Sequence, residues 1–492
     1  MVLRFAGFVL DQQSTELRAP DGTTVKLRPK TLELLRLFAA NPGRVLDKQA
    51  LMDAVWPNVT VSEDSLFQCI RELRAAIGDN QRQIIRLASG GGYVFVAGPA
   101  PAEVSLPATP PVLAVLPIID ASHDPSGAAM AAEVSGRLTD GFARIDGIRV
   151  VASERSPSAD FEVRGELQRA AQAWSLRARL IRTATGEIQS VATVSVDAGE
   201  PDVQLQQMRL AAGAGHPLAR RLNELLVSGP SATGGAKVVI EQALASINQT
   251  TRERFGMAQT MLHKALADEP DSVDIAVALA SLQLRGIQMV WYSPDEAIAA
   301  EAQASAALER ALRTKPNSIA VLETSGRLLS TTNRFVESLV TCARALSLDP
   351  WNGLALYLIG LGQVHLGRFE DALASFHQAV RFDTPQVSRW TWYLGVGWVN
   401  LLMGNAEEAV PWLERSIAIT AASGRTHMLL AAACQQTGRL DEATAAMQEG
   451  LRIRPGSTVL NVRPPEKNTS PIYLQASDRV IRLMVAAGLP ER

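Results

Sequence analysis

The sequence predicts a multidomain, mainly α-helical protein with three folded parts: a small helical domain with β-hairpins, a small α/β domain and a long α-solenoid. Its 492 residues suggest roughly three or four domains, at about 150 residues per domain. Two stretches rich in proline, glycine and small residues, 99–111 and 228–236, indicate linkers between the parts. The segment after the second linker repeats an apolar pattern every 34 residues, which indicates a helical repeat array.

Residues 1–98 contain strand-like and helical segments in a defined order. Apolar stretches at 3–10 and 24–27, separated by a Pro-Asp-Gly turn signal, predict a small hairpin or sheet. Three helices follow, each opened by a proline or an N-cap residue and closed by a breaker. They are expected at 29–40, 47–56 and 62–78. Two β-like runs, 83–87 and 93–96, then form a terminal hairpin, so the segment predicts a winged helix-turn-helix.

The segment also resembles a known family. Its motifs are KLRPKTLELLRLFAANPGRVLDKQALMDAVWP, then VSEDSLFQCIRELRAAIGD, then GGGYVFVA. In this order they resemble the DNA-binding domain of OmpR/PhoB-type transcriptional regulators, and within them the CadC/ToxR-like branch. The resemblance implies that the helix at 62–77 enters the major groove of DNA and that the terminal hairpin, or wing, contacts the adjacent minor groove.

The third helix carries the candidate DNA-contacting residues. Its apolar positions, Leu66, Ile70, Leu73 and Ile77, are spaced by four, three and four residues and should face the core. Gln68 and Arg71 lie opposite and are competent to read adenine and guanine edges. The other candidates are neighbours on the helix or basic residues placed to contact phosphates. The complete set is Asp64, Ser65, Phe67, Gln68, Arg71, Arg74, Lys30, Lys48, Arg82 and Arg86.

The charge of residues 1–98 is low for a DNA-binding domain. Twelve Lys and Arg stand against ten Asp and Glu, a net charge of +2. The wing tip, 89–92, is Ser-Gly-Gly-Gly and offers only backbone donors apart from its serine. We therefore expect weak binding to a single site, with dimers, clustered sites or a partner protein supplying the remaining affinity.

Residues 112–227 predict the small α/β domain. The run VLAVLPII is typical of a buried strand, and a helix through Met130 and Phe142, further strands and a helix at 203–227 follow. The motifs VLAVLPIID, GRLTDGFARIDGIRVVA and RARLIRTATGEIQS resemble the TolB N-terminal-like domain. His123 beside Asp124 is interpreted as a solvated loop pair, not as a catalytic or metal site. The domain is expected to be structural or to host an unidentified ligand.

Residues 237–492 contain the repeats, with a capping helix at 474–489. Each copy has a small residue, a large residue four positions later and a small residue three positions after that, often followed by proline. A 34-residue period is that of the tetratricopeptide repeat, whose small residues let paired helices approach closely. A degenerate repeat is expected at 238–250, and the extra residues of the first interval lie at 289–295. The six copies begin at Ala258, Ala304, Ser338, Ala372, Ala409 and Ala443.

Several residues of the repeats have alternative interpretations. Gly360, Gly362 and Gly367 lack the preceding strand of a phosphate-binding loop and belong to a repeat helix and its turn. The four tryptophans at 390, 392, 398 and 412 form either an aromatic recognition surface or repeat packing, and packing is favoured. Cys342 and Cys434 are interpreted as small apolar residues of the repeat core.

The sequence therefore predicts a transcriptional regulator that reads DNA with the helix at 62–77 and binds a protein or peptide on its repeats. The alternative is a scaffold or adaptor in which both regions bind proteins. Three scattered cysteines, no signal peptide and no membrane span favour a cytoplasmic, non-membrane protein, and homo-oligomerisation is compatible with this organisation. We expect no enzymatic activity, cofactor or metal. Because no receiver domain or membrane helix is present, we expect the signal to arrive through a cytoplasmic partner, a ligand or expression level.

Overall fold

The computed structural model describes the chain apart from the following residues: 1, 6–7, 12–15, 19–22, 26, 41–44, 57–62, 78, 80–83, 88–91, 96–109, 153–158, 171, 228–233, 248–250 and 421–422. The chain divides into two compact units, Met1–Leu106 and Pro107–Arg492. The predicted fold class, mainly helical with a winged helix-turn-helix and an α-solenoid, is confirmed.

The first unit contains three helices and two small sheets. An antiparallel sheet of order β1-β2-β3-β4 comes first, and a second sheet of order β5-β7-β6 contains the wing. Leu34, Phe38, Leu66 and Phe95 belong to the core that joins helices and wing. The elements are β1 Val2–Phe5, β2 Phe8–Asp11, β3 Glu16–Arg18, β4 Thr24–Val25, α1 Pro29–Ala40, β5 Val45–Leu46, α2 Lys48–Val55, α3 Glu63–Ala76, β6 Ile85–Leu87 and β7 Tyr93–Phe95.

The structure adds detail to two expectations for this unit. The predicted small hairpin or sheet is the four-stranded sheet, in which the apolar stretch at 3–10 forms two paired strands, with Phe5 paired to Phe8. The wing has a third strand, since Val45 of β5 pairs with Val94 of β7. The predicted turn at 20–22 and the wing tip at 89–92 lie outside the described residues, apart from Gly92.

The second unit begins with a mixed sheet of order β10-β8-β11-β12-β13, and β9 pairs with β11. Helices α4 and α5 pack on this sheet, and alternate residues of β11, such as Phe161 and Val163, are buried beneath them. The predicted strand at 112–119 is interrupted around Pro117 and divides into β8 and β9. The elements are β8 Val112–Val115, β9 Ile119–Asp120, α4 Gly127–Phe142, β10 Arg149–Ala152, β11 Phe161–Ala170, β12 Ala173–Arg182, β13 Glu187–Asp197 and α5 Val203–Leu226.

Six helix pairs build the solenoid that follows. In each pair the second helix carries the repeated small and large residues, and Leu262, Leu308, Cys342, Phe376, Leu413 and Met447 are all buried. The paired helices are α6 Gly234–Ile247 and α7 Arg252–Asp268, α8 Val273–Gln288 and α9 Pro294–Thr314, α10 Ile319–Thr331 and α11 Phe335–Leu348, α12 Gly353–His365 and α13 Phe369–Phe382, α14 Arg389–Met403 and α15 Ala406–Ile419, α16 Gly424–Gln436 and α17 Leu440–Ile453.

Two details of the repeats differ from expectation, and a third, the extra residues of the first interval, agrees with the expected loop or helix extension. The segment at 238–250 is not a separate degenerate repeat, because α6 is the first helix of the pair that α7 completes. The extra residues near 289–295 form a short loop and the first turn of a long α9. Helix α6 begins at Gly234, inside the predicted linker. The short helix α18 Val459–Val462 precedes the terminal helix α19 Pro471–Ala486, which packs on α14 and α16.

The favoured interpretation of the tryptophans and glycines agrees with the structure. Trp390, Trp392 and Trp398 are buried in the repeats, and Trp412 is half-buried. A Cβ atom at Gly360 would lie 2.5 Å from the Phe376 ring of the paired helix, so this glycine permits close helix packing. No described helix is long and apolar enough to cross a membrane.

Candidate nucleic-acid interface

Helix α3 is built with one buried and one exposed face. Leu66, Ile70 and Leu73 are buried, and two acidic residues in the first turn favour the positive end of the helix dipole. The exposed side chains recur at the same helical spacing on the opposite face. This exposed row consists of Asp64, Gln68, Arg71 and Ala75.

Gln68 and Arg71 are available for a ligand. Both are exposed, and within the described part of the chain neither side chain makes a hydrogen bond or an ion pair. A glutamine amide can pair with adenine and an arginine guanidinium with guanine in the major groove. One turn of helix separates the two residues, so both can face the same groove. The structure therefore presents the two predicted base-reading residues side by side on an open helix surface.

Phe67 and Lys48 form the flank of this surface. The Lys48 ammonium lies 5.1 Å from the centre of the Phe67 ring and donates a hydrogen bond of 2.7 Å to Glu63. That hydrogen bond raises the pKa of Lys48, which keeps its side chain positively charged. Ser65, on the other flank, is half-buried.

Lys30 is held at the opposite end of α2. Its ammonium donates 2.7 Å and 2.8 Å hydrogen bonds to the carbonyl oxygen of Val55 and to the Glu33 carboxylate. The bond to Val55 satisfies a carbonyl in the last turn of α2, where a cation also complements the helix dipole. Lys30 thus has a structural role, and its positive charge is also suited to contact a DNA phosphate.

Arg74 links α3 to the wing. Its guanidinium donates a 2.6 Å hydrogen bond to the carbonyl oxygen of Ile85 in β6 and lies 3.9 Å from the Asp79 carboxylate. Asp79 is buried and accepts hydrogen bonds of 3.0 Å and 2.8 Å from the backbone N–H groups of Ile84 and Ile85. Arg74 and Asp79 together hold the start of β6 near the C-terminal end of α3.

Glu72 links α3 to α1. Its carboxylate accepts a 3.0 Å hydrogen bond from the buried Thr31 hydroxyl and one of 3.2 Å from the backbone N–H of Arg28. These groups are at the start of α1, so Glu72 acts as a cap supplied by another helix. It orients α3 relative to α1.

Asp79 and Glu72 were not predicted from the sequence. The hydrogen-bond partners of Asp79 lie five and six residues later in the chain, a spacing that neither helical nor strand periodicity connects. Of the two predicted wing residues, Arg86 is exposed on β6, and Arg82 lies outside the described residues. The contacts that all ten candidates make with DNA stay predictions. Among the described residues, no group of three or more His, Cys, Asp or Glu is arranged to hold a metal ion.

Comparison with known proteins identifies two of the three parts. Residues 22–95 match the family described as "Transcriptional regulatory protein, C terminal", and residues 357–424 and 424–457 match tetratricopeptide repeat families. The chain therefore carries an OmpR/PhoB-type DNA-binding domain near its N-terminus and tetratricopeptide repeats in its C-terminal half.

Curated relatives are similar over the N-terminal part. Transcriptional regulator HilA of Salmonella typhi is 32% identical over 120 residues, which are 23% of this chain and 20% of HilA. Transcriptional activator CadC of Escherichia coli K12 is 29% identical over 113 residues, 21% of this chain and 22% of CadC. The phosphate regulon transcriptional regulatory protein PhoB of Pseudomonas aeruginosa is 31% identical over 94 residues, 19% of this chain and 41% of PhoB. The chain thus spans less than half the length of each relative, and the TolB-like resemblance of 112–227 stays a prediction.

Proposed function

We propose that the protein is a sequence-specific transcriptional regulator that places α3 in the major groove of DNA. The observation that carries the proposal is the exposed row on α3, in which Gln68 and Arg71 have no partners among the described residues. Gln68 reads adenine and Arg71 reads guanine, each discriminating by about 1–3 kcal/mol. The match of residues 22–95 to a transcriptional regulator family supports this role.

In this proposal the remaining candidates position the domain. Lys48, Arg86 and Arg82 contact phosphates beside α3 and the wing, and Lys30 adds positive charge at the end of α2. Phe67 and Ser65 border the base-reading pair, and Asp64 accepts from a cytosine amino group. Arg74 acts mainly by holding the wing, because its guanidinium already binds Ile85 and lies beside Asp79.

The repeats regulate DNA binding through a cytoplasmic protein or peptide partner, and binding of DNA as an oligomer compensates for a basic charge of only +2 in residues 1–98. Tetratricopeptide repeats build extended surfaces suited to such partners. We propose no enzymatic role for the chain.

Selection from a random DNA duplex library tests the proposal. The full chain is expected to enrich a defined sequence, and the Gln68→Ala/Arg71→Ala variant to enrich none. An exposed arginine of α1 provides the matched control, so Arg36→Ala should enrich the same sequence as the wild type. Failure of the wild-type chain to enrich any sequence would refute the proposal.

A scaffold or adaptor is the second candidate. It is favoured by the pairing of Lys30 with Glu33 and of Lys48 with Glu63, which reduces the free positive charge around α3. If this candidate is right, the full chain binds no DNA while the second compact unit, Pro107–Arg492, still captures a partner. Measuring DNA binding and partner capture side by side separates the two.

A further inference from the structure

Three arginines of the solenoid come from three different repeats and act electrostatically on one buried tyrosine. Arg285, Arg327 and Arg425 lie on α8, α10 and α16, which are first helices of their pairs. The first helices of neighbouring repeats pack on one another more closely than the second helices do, so they form the inner layer of the solenoid. Burial raises the pKa of Tyr357 on α12, and the positive charges of all three guanidiniums oppose that rise. The Arg327 guanidinium donates a 3.0 Å hydrogen bond to the side-chain oxygen of Gln288, one turn along α8 from Arg285, so these two arginines are neighbours on adjacent helices.

The charge of this cluster is not balanced by carboxylates. Within the described residues, neither Arg285 nor Arg425 makes an ion pair. Burial and the neighbouring charge of Arg327 lower the pKa of Arg285 to about 10. Glu323, the acid beside Arg327, is bound by Arg220 at 2.8 Å and by Asn352 at 2.5 Å. The like charges of Arg285 and Arg327 are thus held together in a partly dehydrated site, which costs free energy unless an anion joins them.

Hydrogen-bond donors in the cluster also lack acceptors. Nε of Arg285 and Nε1 of Trp390 are buried, and neither has a partner among the described residues. The Arg285 guanidinium lies 5.8 Å from the centre of the Trp390 ring, so both donors border the same space. Buried donors are rarely left unpaired in folded proteins, and an acceptor-rich ligand would satisfy these two.

Two other helices of the same unit, α19 and α5, lie beside the arginines. Tyr473 of α19 packs against His365 and Trp398, with ring centres 4.9 Å and 5.9 Å apart. Arg425 stacks on Trp398 at 4.5 Å. On the other side, Arg220 of α5 binds Glu323. Helices α19 and α5 therefore border the inner surface on either side of the arginines.

We propose that this arginine recess, formed by Arg285, Arg327, Tyr357, Trp390 and Arg425, binds a compact anionic ligand through a carboxylate or phosphate group. Guanidinium groups present forked donors that match both groups, and the aromatic rings pack against the remainder of the ligand. Occupancy would join α8, α10 and α16 through one ligand. The inference goes beyond the proposed function, because it requires no DNA and no protein partner.

Calorimetry and thermal unfolding of the full chain test the inference, with sodium citrate as the carboxylate probe and sodium pyrophosphate as the phosphate probe. Sodium chloride of equal ionic strength corrects for general salt effects. At least one probe should bind and raise the unfolding temperature above that in chloride. Citrate alone identifies a carboxylate ligand and pyrophosphate alone a phosphate ligand. If neither probe binds, the inference is wrong.

Variants distinguish a binding role from a structural one. Arg285→Gln should weaken binding about tenfold or more, equivalent to about 1.4 kcal/mol. In chloride it should unfold at the same or a higher temperature, because repulsion within the cluster is relieved. Arg425→Gln, at an exposed arginine, should weaken binding without affecting folding.

The matched control is Arg415→Gln, since the Arg415 guanidinium stacks on Trp412 at 4.9 Å outside the recess. It should bind like the wild type. Equal binding by the Arg285, Arg425 and Arg415 variants would overturn the inference. All of these measurements omit DNA, so their failure leaves the proposed DNA binding untouched, and a failure of DNA binding leaves them valid.

Discussion

The imidazole of His216 and the carboxylate of Asp349 lie 2.6 Å apart, between Nδ1 and Oδ2, although 133 residues separate them in the chain. His216 belongs to α5 of the α/β part, and Asp349 follows α11 of the solenoid. Nearby, Asn223 of α5 accepts a 3.0 Å hydrogen bond from the backbone N–H of Ile319. These contacts join the α/β part and the repeats in one compact unit.

Trp351 is the main apolar contact of this junction. It is 5% exposed, belongs to the core of the α/β part and packs edge-on against Phe142, with ring centres 5.1 Å apart. Trp351→Ala should lower the free energy of unfolding of the full chain by about 3–5 kcal/mol, as expected for a large core residue. Denaturant unfolding measures this. The half-buried Trp412→Ala is the control, and equal losses in the two variants would show that the junction is not specially stabilising.

Glycine at 141 is required by the same tryptophan. A Cβ atom there would lie 2.0 Å from the Trp351 ring, whereas one at Gly136 of the same helix would have no neighbour within 4 Å. Gly141→Ala should therefore destabilise the protein, and Gly136→Ala should stabilise it by up to about 1 kcal/mol through helix propensity. Thermal unfolding of the two variants gives the comparison. Changes of the same sign would contradict the placement of Trp351.

The difference between these glycines also shows which features of the structure sequence patterns do not predict. The spacing of Leu66, Ile70 and Leu73 predicted which face of α3 is buried, because helical periodicity is local. The 34-residue period predicted the repeat pairs, because each repeat carries the same local pattern of small and large residues. The docking of Trp351 beside Gly141 depends on residues far apart in the chain, and no local pattern specifies it.

The candidate DNA-binding site also has some features that the sequence predicts and some that it does not. The exposure of Gln68 and Arg71 follows from the helix pattern, and their identity suggests base reading. The role of Asp79 depends on how the chain returns to the wing, and the pairing of β5 with β7 depends on register between distant segments. The arginine recess needs side chains from five repeats, which their sequence positions do not bring together.

Asp79 should be necessary for the position of the wing. Asp79→Ala leaves the N–H groups of Ile84 and Ile85 without their acceptor, at a cost of about 1.5–3 kcal/mol for a hydrogen bond to a charged group. We expect lower stability of the N-terminal unit and weaker DNA binding. The control is Asp53→Ala at an exposed position of α2. Hydrogen exchange of the backbone N–H groups of β6 would reveal the loosened wing. Unchanged exchange rates there would refute the role of Asp79.

His365 should make stability depend on pH. Burial lowers its pKa from its usual value near 6.5 to about 4, and the ring stacks on Phe335 with centres 4.1 Å apart. Between pH 6.5 and 4 the unfolded chain binds a proton at this histidine that the folded protein does not. Stability contributed by neutral His365 is therefore full above pH 6.5 and is lost as the pH falls, by up to about 1.4 kcal/mol per pH unit.

A variant isolates this contribution. His365→Gln should show a flatter decline of the free energy of unfolding with falling pH than the wild type does. His263→Gln, at an exposed histidine of α7, should follow the wild-type curve. Denaturant unfolding at several pH values provides the data. Parallel curves for the wild type and His365→Gln would show that His365 titrates normally in the folded protein.

Arg71 of α3 is proposed to read a base in the major groove, and competition binding with two duplexes measures this recognition. One duplex carries the sequence enriched by the wild-type chain, and the other replaces the guanine assigned to Arg71. The wild type should prefer the first by about 1–3 kcal/mol, and Arg71→Ala should bind both equally and nonspecifically. An unchanged preference in Arg71→Ala would show that Arg71 does not read this guanine.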